Sequence, residues 1–184
     1  MSDTPVHVVE ARRIALIADT HCHAPGAADL PEAVLAGLSG VDLILHLGDM
    51  GDSAVRERLG AVAPLLTTRG EDDPPDGPST IVVEAGGLSV GALFDLAAAG
   101  LGRFEGGLKL DHEFGRRVRA RFGRSIDVLA FAGTHDALVA HHAGLLVVNR
   151  GSPNLPARPG PAGLGTLAFL EVADGTATVA IHQL

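Results

Sequence analysis

The sequence contains no tryptophan and no tyrosine, only one cysteine, and too few basic residues to balance its acidic ones. With 14 lysines and arginines against 22 aspartates and glutamates, the formal net charge is −8, which argues against a protein that coats nucleic acid. The missing Trp and Tyr would be the best base-stacking groups. A single cysteine, Cys22, excludes an internal disulfide and fits a reducing compartment, so we expect a cytoplasmic protein.

Long apolar runs are also missing. No stretch reaches the ~18–20 apolar residues that a membrane span needs, and residues 1–13 lack the hydrophobic segment of a secretory signal. We therefore expect no membrane association. The 184 residues are 46% hydrophobic and 20% charged, a composition typical of globular proteins. This length fits one folded unit, so we expect residues 1–184 to form a single domain.

Short apolar runs alternate with segments of helical character. The runs over 14–18, 43–47 and 65–68 have the pattern of strands buried on both faces, and helices are predicted between them over 31–38 and 53–59. This order is typical of a layered α/β fold with parallel strands. Further predictions are a polar lead-in over 1–12, hairpins over 81–93 and 167–181, a helix over 109–122, strands over 128–131 and 145–148, and a turn at His141 and His142.

Polar side chains that can bind a metal follow several of these predicted strands. Asp19 and His21 follow the first strand, Asp49 the second, and His135 a later one. Ligand sites of α/β sheets form outside the carboxyl ends of the strands, so residues far apart in sequence can meet there. Asp19 and His21 alone are a common pair, as a cap beside a surface histidine, and the Asp49 and His135 elements are weak signals by themselves. Together, two carboxylates and two imidazoles predict a divalent-metal site.

Order and spacing make the pattern more specific. The segments over 17–21, 45–49, 69–73, 133–135 and 149–153 resemble the calcineurin-like metallophosphoesterases, in particular their small bacterial and archaeal phosphodiesterase branch. The resemblance covers about residues 12–156. It implies a layered β-sandwich flanked by helices, in four layers α/β/β/α, with a dinuclear metal centre at one edge. It also implies the ligands of the first ion: Asp19, His21, Asp49 and His135.

The sequence departs from that family at all three ligands private to the second ion. Glu71 stands at the position of an asparagine, Phe94 aligns with a histidine, and Gly133 replaces the first histidine of a Gly-His-Thr-His motif. The second site is therefore lost, or rebuilt with Glu71 and either Asp95 or a nearby histidine (His23, His46, His141 or His142). We expect one or two ions per chain, manganese first, with iron, nickel, cobalt or zinc as alternatives.

The resemblance implies a metal-dependent phosphoesterase that hydrolyses a small phosphodiester with metal-activated water. Asp49 and Glu71 are the predicted catalytic residues, Glu71 as a replacement ligand or base, and Asn149 and Arg150 are expected at the substrate. The alternative is a binding or scaffolding subunit that kept the fold and lost catalysis, and a weaker one is a single-metal hydrolase of a non-phosphate ester. His46, inside an apolar run, is expected to be a buried core residue. Self-association is left open.

Overall fold

Thirteen strands form two facing sheets and a small ribbon in the computed structural model, which describes residues 4–104 and 107–184. The strands are β1 (Val6–Val8), β2 (Arg13–Ile17), β3 (Leu43–His46), β4 (Leu65–Thr67), β5 (Thr80–Ala85), β6 (Leu88–Leu93), β7 (Arg103–Phe104), β8 (Leu108–Lys109), β9 (Val128–Phe131), β10 (Ala137–His142), β11 (Leu145–Arg150), β12 (Thr166–Ala173) and β13 (Thr176–Gln183). One sheet has the order β1-β5-β6-β9-β11-β10 and the other β13-β12-β2-β3-β4, while β7 and β8 pair only with each other.

Helices are short and few among the described residues. They are α1 (Glu32–Gly37), α2 (Ala54–Gly60) and α3 (Phe114–Phe122), with a 3-10 turn over Pro25–Ala27. The helix predicted from residue 109 begins only at Phe114, because Leu108–Lys109 belongs to β8. It ends at Gly123, whose φ of 70° gives the left-handed conformation that commonly terminates helices. None of the described helices has the length and apolar character needed to cross a membrane.

The buried strands alternate their side chains between two different cores. Ile14 and Leu16 of β2 pack in the core between the two sheets, whereas Ala15 and Ile17 pack against α1 and α2. A third core joins the outer face of the other sheet to α3. Because both faces of the central strands are covered, strands such as β2, β3 and β9 are apolar almost throughout. The predicted four-layer α/β/β/α sandwich is confirmed.

Two segments differ from their predictions. The expected polar lead-in contains β1, which pairs in parallel with β5, Val6 opposite Val82. His141 and His142 lie in β10 rather than in a turn, and β10 pairs antiparallel with β11. Both strands lie at an edge of the six-stranded sheet. Each becomes a strand because its backbone pairs with a buried neighbouring strand, which its own mixed polar and apolar composition does not predict.

Parallel pairing brings the carboxyl ends of the central strands to one end of the sandwich. Strands β2, β3 and β4 run parallel in one sheet, and β6, β9 and β11 run parallel in the other. The two sets meet where the Gly133 amide donates to Asp19 Oδ2 at 3.4 Å. The loops after β2, β3, β4 and β9 therefore surround one place.

Candidate metal centre

Four residues at this end of the sandwich have strained backbones. Asp19, His21, Asp49 and His135 have φ angles of 46°, 41°, 55° and 56°, in the left-handed region that non-glycine residues rarely adopt. Such a conformation costs of the order of 1 kcal/mol or more per residue and persists only where the surroundings enforce it. These are the four residues that the sequence predicts as metal ligands. Strain concentrated in this way points to a functional site.

The four predicted ligands lie together. Ligand atoms of Asp19, His21 and His135 fall within 4.8 Å of one another, and so do those of His21, Asp49 and Asp72. His135 Nε2 is 3.7 Å from Asp19 Oδ1, and His21 Nε2 is 3.7 Å from Asp49 Oδ2. His21 belongs to both groups, so they form one continuous cluster.

The unsatisfied oxygen of Asp19 shows that these residues fit a cation. Asp19 is fully buried, and its Oδ1 has no hydrogen-bond partner. A buried carboxylate oxygen without a partner is unfavourable, and a cation would satisfy it. His135 Nδ1 lies 2.7 Å from the Leu155 carbonyl, which can only accept. The proton is therefore on Nδ1, and Nε2 presents its lone pair toward Asp19, as metal-binding imidazoles do.

Asp73 fixes the loop that carries Asp49. Its Oδ2 accepts the amides of Asp49 at 2.8 Å and Gly70 at 2.7 Å, and its Oδ1 accepts that of Met50 at 2.9 Å. The Asp72 amide donates to Asp49 Oδ1 at 2.9 Å, which leaves Oδ2 directed at His21. Burial raises the pKa of Asp49. Its ionised form is therefore unfavourable until a cation compensates it.

A sequence model of the calcineurin-like phosphoesterase superfamily domain matches residues 13–175. The chain belongs to this superfamily. It is 30% identical to a probable metallophosphoesterase of Methanocaldococcus jannaschii over 164 residues, which cover 88% of this chain and 76% of the relative. Among solved structures, Vps29 of Chaetomium thermophilum has a TM-score of 0.66 at 21% identity, over 94% of this chain and 96% of that one. Vps29 of Entamoeba histolytica, solved with Zn²⁺, has a TM-score of 0.66 at 17% identity, over 92% and 98%.

Members of the superfamily bind divalent metals, and in this member the Phe94 ring packs beside the candidate site. The Phe94 ring lies between the glycine turns that precede Asp49 and His135. A Cβ atom on Gly133 would lie 3.4 Å from Phe94 Cζ, and one on Gly48 would lie 2.7 Å from Phe94 Cδ2. Phe94 is 8% exposed. An apolar ring thus occupies the space beside both turns and offers no ligand.

The structure separates Glu71 from its neighbour Asp72. Glu71 is exposed and belongs to neither group of ligand atoms, whereas Asp72 Oδ2 lies 3.2 Å from His21 Nδ1. The turn over 70–73 decides which of three successive acids faces the site, and residue type alone does not reveal that. Among the three acids, Asp72 is therefore the one whose carboxylate joins the candidate ligand atoms.

Asn149 and Arg150, which the sequence predicts at the substrate, are both fully buried. Asn149 Nδ2 donates to Thr134 Oγ1 at 2.8 Å and so holds the turn before His135. Arg150 Nη2 donates to Asp19 Oδ2 at 2.8 Å. Their strand, β11, lies between β9 and β10 and is buried along its whole length. A polar residue at the end of such a strand faces the interior.

Gly70 is required because Asp49 lies against it. A Cβ atom there would overlap Asp49 Oδ1 and the Asp49 backbone nitrogen. We expect Gly70→Ala to displace Asp49 and to lower the free energy of unfolding by about 1–3 kcal/mol, as overpacking does. Urea denaturation measures this. Gly77→Ala in the same loop is the control, since its Cβ would meet only Arg69 Cβ at 3.4 Å. Equal stability of the two variants would contradict the prediction.

His46 is a neutral, buried histidine, as expected from its apolar run. Thr20 Oγ1 donates to the Met50 carbonyl at 2.9 Å, so it accepts from His46 Nε2 at 3.2 Å. His46 Nδ1 accepts the Gly48 amide at 3.3 Å. Burial lowers the pKa of His46 well below its ordinary value, with the nearby Arg150 charge adding to the effect.

This histidine makes stability depend on pH. Because its folded pKa lies below its unfolded pKa of about 6.5, acidification protonates the unfolded chain first and favours unfolding. We expect His46 to account for a loss of the order of 1 kcal/mol between pH 7.5 and pH 5.5. Urea denaturation at both pH values, with His46→Gln as the comparison, measures it. A variant with the same pH dependence as the wild type would show that the loss comes from other groups.

Proposed function

We propose that the chain is a metal-dependent phosphoesterase that hydrolyses a small phosphodiester with one divalent ion, held by Asp19, His21, Asp49 and His135. The observation that carries the proposal is the buried, unpartnered Oδ1 of Asp19, which faces His135 within the four-residue cluster. When bound, such an ion lowers the pKa of a coordinated water and polarises a phosphoryl oxygen.

One ion per chain is proposed because His21 is shared. The two groups of ligand atoms both need this imidazole. The Phe94 ring fills the space beside the turns before Asp49 and His135. Asp95, an alternative ligand, has its Oδ1 occupied by the amides of Ala97 at 2.6 Å and Ala98 at 3.0 Å. These contacts favour a single ion over a rebuilt pair.

Asp72 has the position of a proton acceptor at the mouth of the site. Its side chain is 58% exposed, and its Oδ2 lies 3.2 Å from His21 Nδ1. The carboxylate orients His21 and remains open to solvent, so it can take the proton that an attacking water gives up. In this proposal Asp49 holds the ion, and Asp72 has the base role that the sequence suggested for Glu71.

A groove lined by Thr134 and Asp136, the chain neighbours of His135, indicates the class of substrate. Its volume is about 540 Å³. Its described lining is mainly apolar and includes Phe104, Leu108, Phe131, Ala132 and Leu138. Two carboxylates, Asp95 and Asp136, also line it. Apolar walls favour an aromatic or aliphatic substituent, and the carboxylates disfavour a second phosphate. We therefore propose a diester with one phosphate and an apolar substituent.

Elemental analysis and a hydrolysis assay test the function. Purified protein is expected to carry about one divalent ion per chain and to hydrolyse a bis-aryl phosphodiester when Mn²⁺ is added. Adenosine triphosphate, which carries several phosphates, is expected to be a poor substrate. Leu138→Asp, in the groove, is expected to raise KM for the aryl diester with little change in kcat.

The similarity to Vps29 structures and the altered second-ion positions favour one other candidate. In this alternative the protein is a binding or scaffolding subunit, and the metal cluster has a structural role. A clean protein with one bound ion and no turnover with Mn²⁺, Fe²⁺, Ni²⁺, Co²⁺ or Zn²⁺ would favour it over the enzyme.

A further inference from the structure

Arg150 is a fully buried arginine beneath the metal cluster. It lies at the end of β11, and neither its side chain nor that of Asp19 is exposed to solvent. Its Nη2 is 2.8 Å from Asp19 Oδ2, while its Nε and Nη1 have no hydrogen-bond partner. Burial lowers the pKa of Arg150 to about 10, against the opposing effect of Asp19. The chain therefore keeps an incompletely satisfied cation in its interior.

Fold stability does not explain this arginine. Desolvating two charges commonly outweighs their mutual attraction, and apolar residues of similar volume often serve a core as well or better. The first four residues of β11 are apolar, Leu145, Leu146, Val147 and Val148, and only Asn149 and Arg150 at its end are polar. A role toward the metal cluster is the better explanation, because Asp19 is the residue, among those the structure describes, to which the guanidinium is hydrogen-bonded.

The bond to Arg150 determines which oxygen of Asp19 is left for an ion. Oδ2 accepts Arg150 Nη2 and, at 3.4 Å, the Gly133 amide. The Ser152 hydroxyl donates to the Asp19 carbonyl at 2.8 Å, which holds the strained backbone. Oδ1 alone remains without a partner, 3.7 Å from His135 Nε2. The carboxylate is thus held in one orientation before any ion arrives.

We propose that Arg150 is the positioning residue of the metal centre: it fixes Asp19 so that Oδ1 faces the ion together with His21 and His135. The proposal rests on the metal site of the proposed function but not on hydrolysis. The positive charge of Arg150 also repels a divalent ion, so orientation and repulsion act in opposite directions. Partners that orient a ligand typically contribute 10–100-fold in metal affinity, and we infer that orientation dominates.

Titration of the metal-free protein with Mn²⁺ by calorimetry, well below the melting temperature, tests this. Arg150→Met removes the charge and the orienting hydrogen bond at similar volume, and its Mn²⁺ affinity is expected to fall 10–100-fold. Arg150→Lys keeps a charge but not the planar fork, so its affinity is expected to lie between the two. The control is Arg158→Met, which removes the exposed Arg158–Asp136 pair next to His135 and is expected to bind as the wild type does.

Each outcome decides the proposal. Unchanged or tighter Mn²⁺ binding by a folded Arg150→Met variant overturns it, because a merely structural arginine would shift the melting temperature without weakening the site. If the Met variant does not fold, the Lys variant decides: weaker binding supports the positioning role, and wild-type affinity overturns it. A wild type that binds no Mn²⁺ would refute the metal site and this inference together. Binding without hydrolysis would refute only the proposed enzyme.

Discussion

Asp49→Asn is expected to abolish metal binding while leaving the metal-free chain as stable as the wild type or more stable. Asp49 Oδ1 accepts the Asp72 amide, a bond that an asparagine oxygen preserves, and Oδ2 faces His21. Burial raises the pKa of Asp49 above its unfolded value. A group whose folded pKa is raised contributes stability at low pH and loses it as pH rises through that pKa. At neutral pH the ionised carboxylate is therefore a cost that asparagine removes.

Thermal unfolding with and without Mn²⁺ separates the two effects. A ligand present at about 100 times its Kd stabilises the folded state by about 2.7 kcal/mol, and we expect this gain for the wild type. Asp49→Asn is expected to show no gain, and its hydrolysis should fall at least about 100-fold, since even outer partners of metal ligands contribute 10–100-fold. Asp76→Asn replaces an exposed carboxylate of the following loop and is the control. If Asp49→Asn were still stabilised by Mn²⁺, Asp49 would not be a ligand.

The sequence predicts the four clustered ligands because each follows a strand, and the carboxyl ends of parallel strands meet at one edge. Asp19 and Asp49 come directly after buried apolar runs, and His135 follows a turn of small residues. These predictions depend on where the strands end, and the apolar residues of the strands determine that. The same reasoning gives the layers of the fold, since strands that are apolar on both faces must be covered on both sides.

The residues that support the cluster could not be predicted in this way. Arg150 resembles any arginine at the end of a strand, and only the packing of β11 between two neighbours makes it a buried ion pair. Asp72 and Asp73 are acidic like Glu71, and the direction of their side chains depends on the turn that carries them. The strain at His21 and His135 is likewise invisible, because it depends on contacts between loops distant in sequence.

Asp19→Asn is expected to be the most destabilising of these substitutions. It leaves the Arg150 guanidinium buried without a countercharge, and removing one partner of a buried pair commonly costs about 3–5 kcal/mol. Mn²⁺ should not restore the loss, because Oδ1 of Asp19 is the oxygen that the ion needs. Urea denaturation with and without Mn²⁺ measures both effects.

The double variant Asp19→Asn with Arg150→Met isolates the cause. It removes both charges, so we expect it to recover much of the stability that Asp19→Asn alone loses, since an apolar replacement of a buried pair is often neutral or stabilising. Asp136→Asn is the matched control: its pair with Arg158 is exposed, and its loss should change stability by no more than about 1 kcal/mol. A double variant as unstable as Asp19→Asn would show that Asp19 stabilises the fold through its other contacts. Recovery of stability without recovery of Mn²⁺ binding would show instead that the pair is kept for the metal centre at the expense of stability.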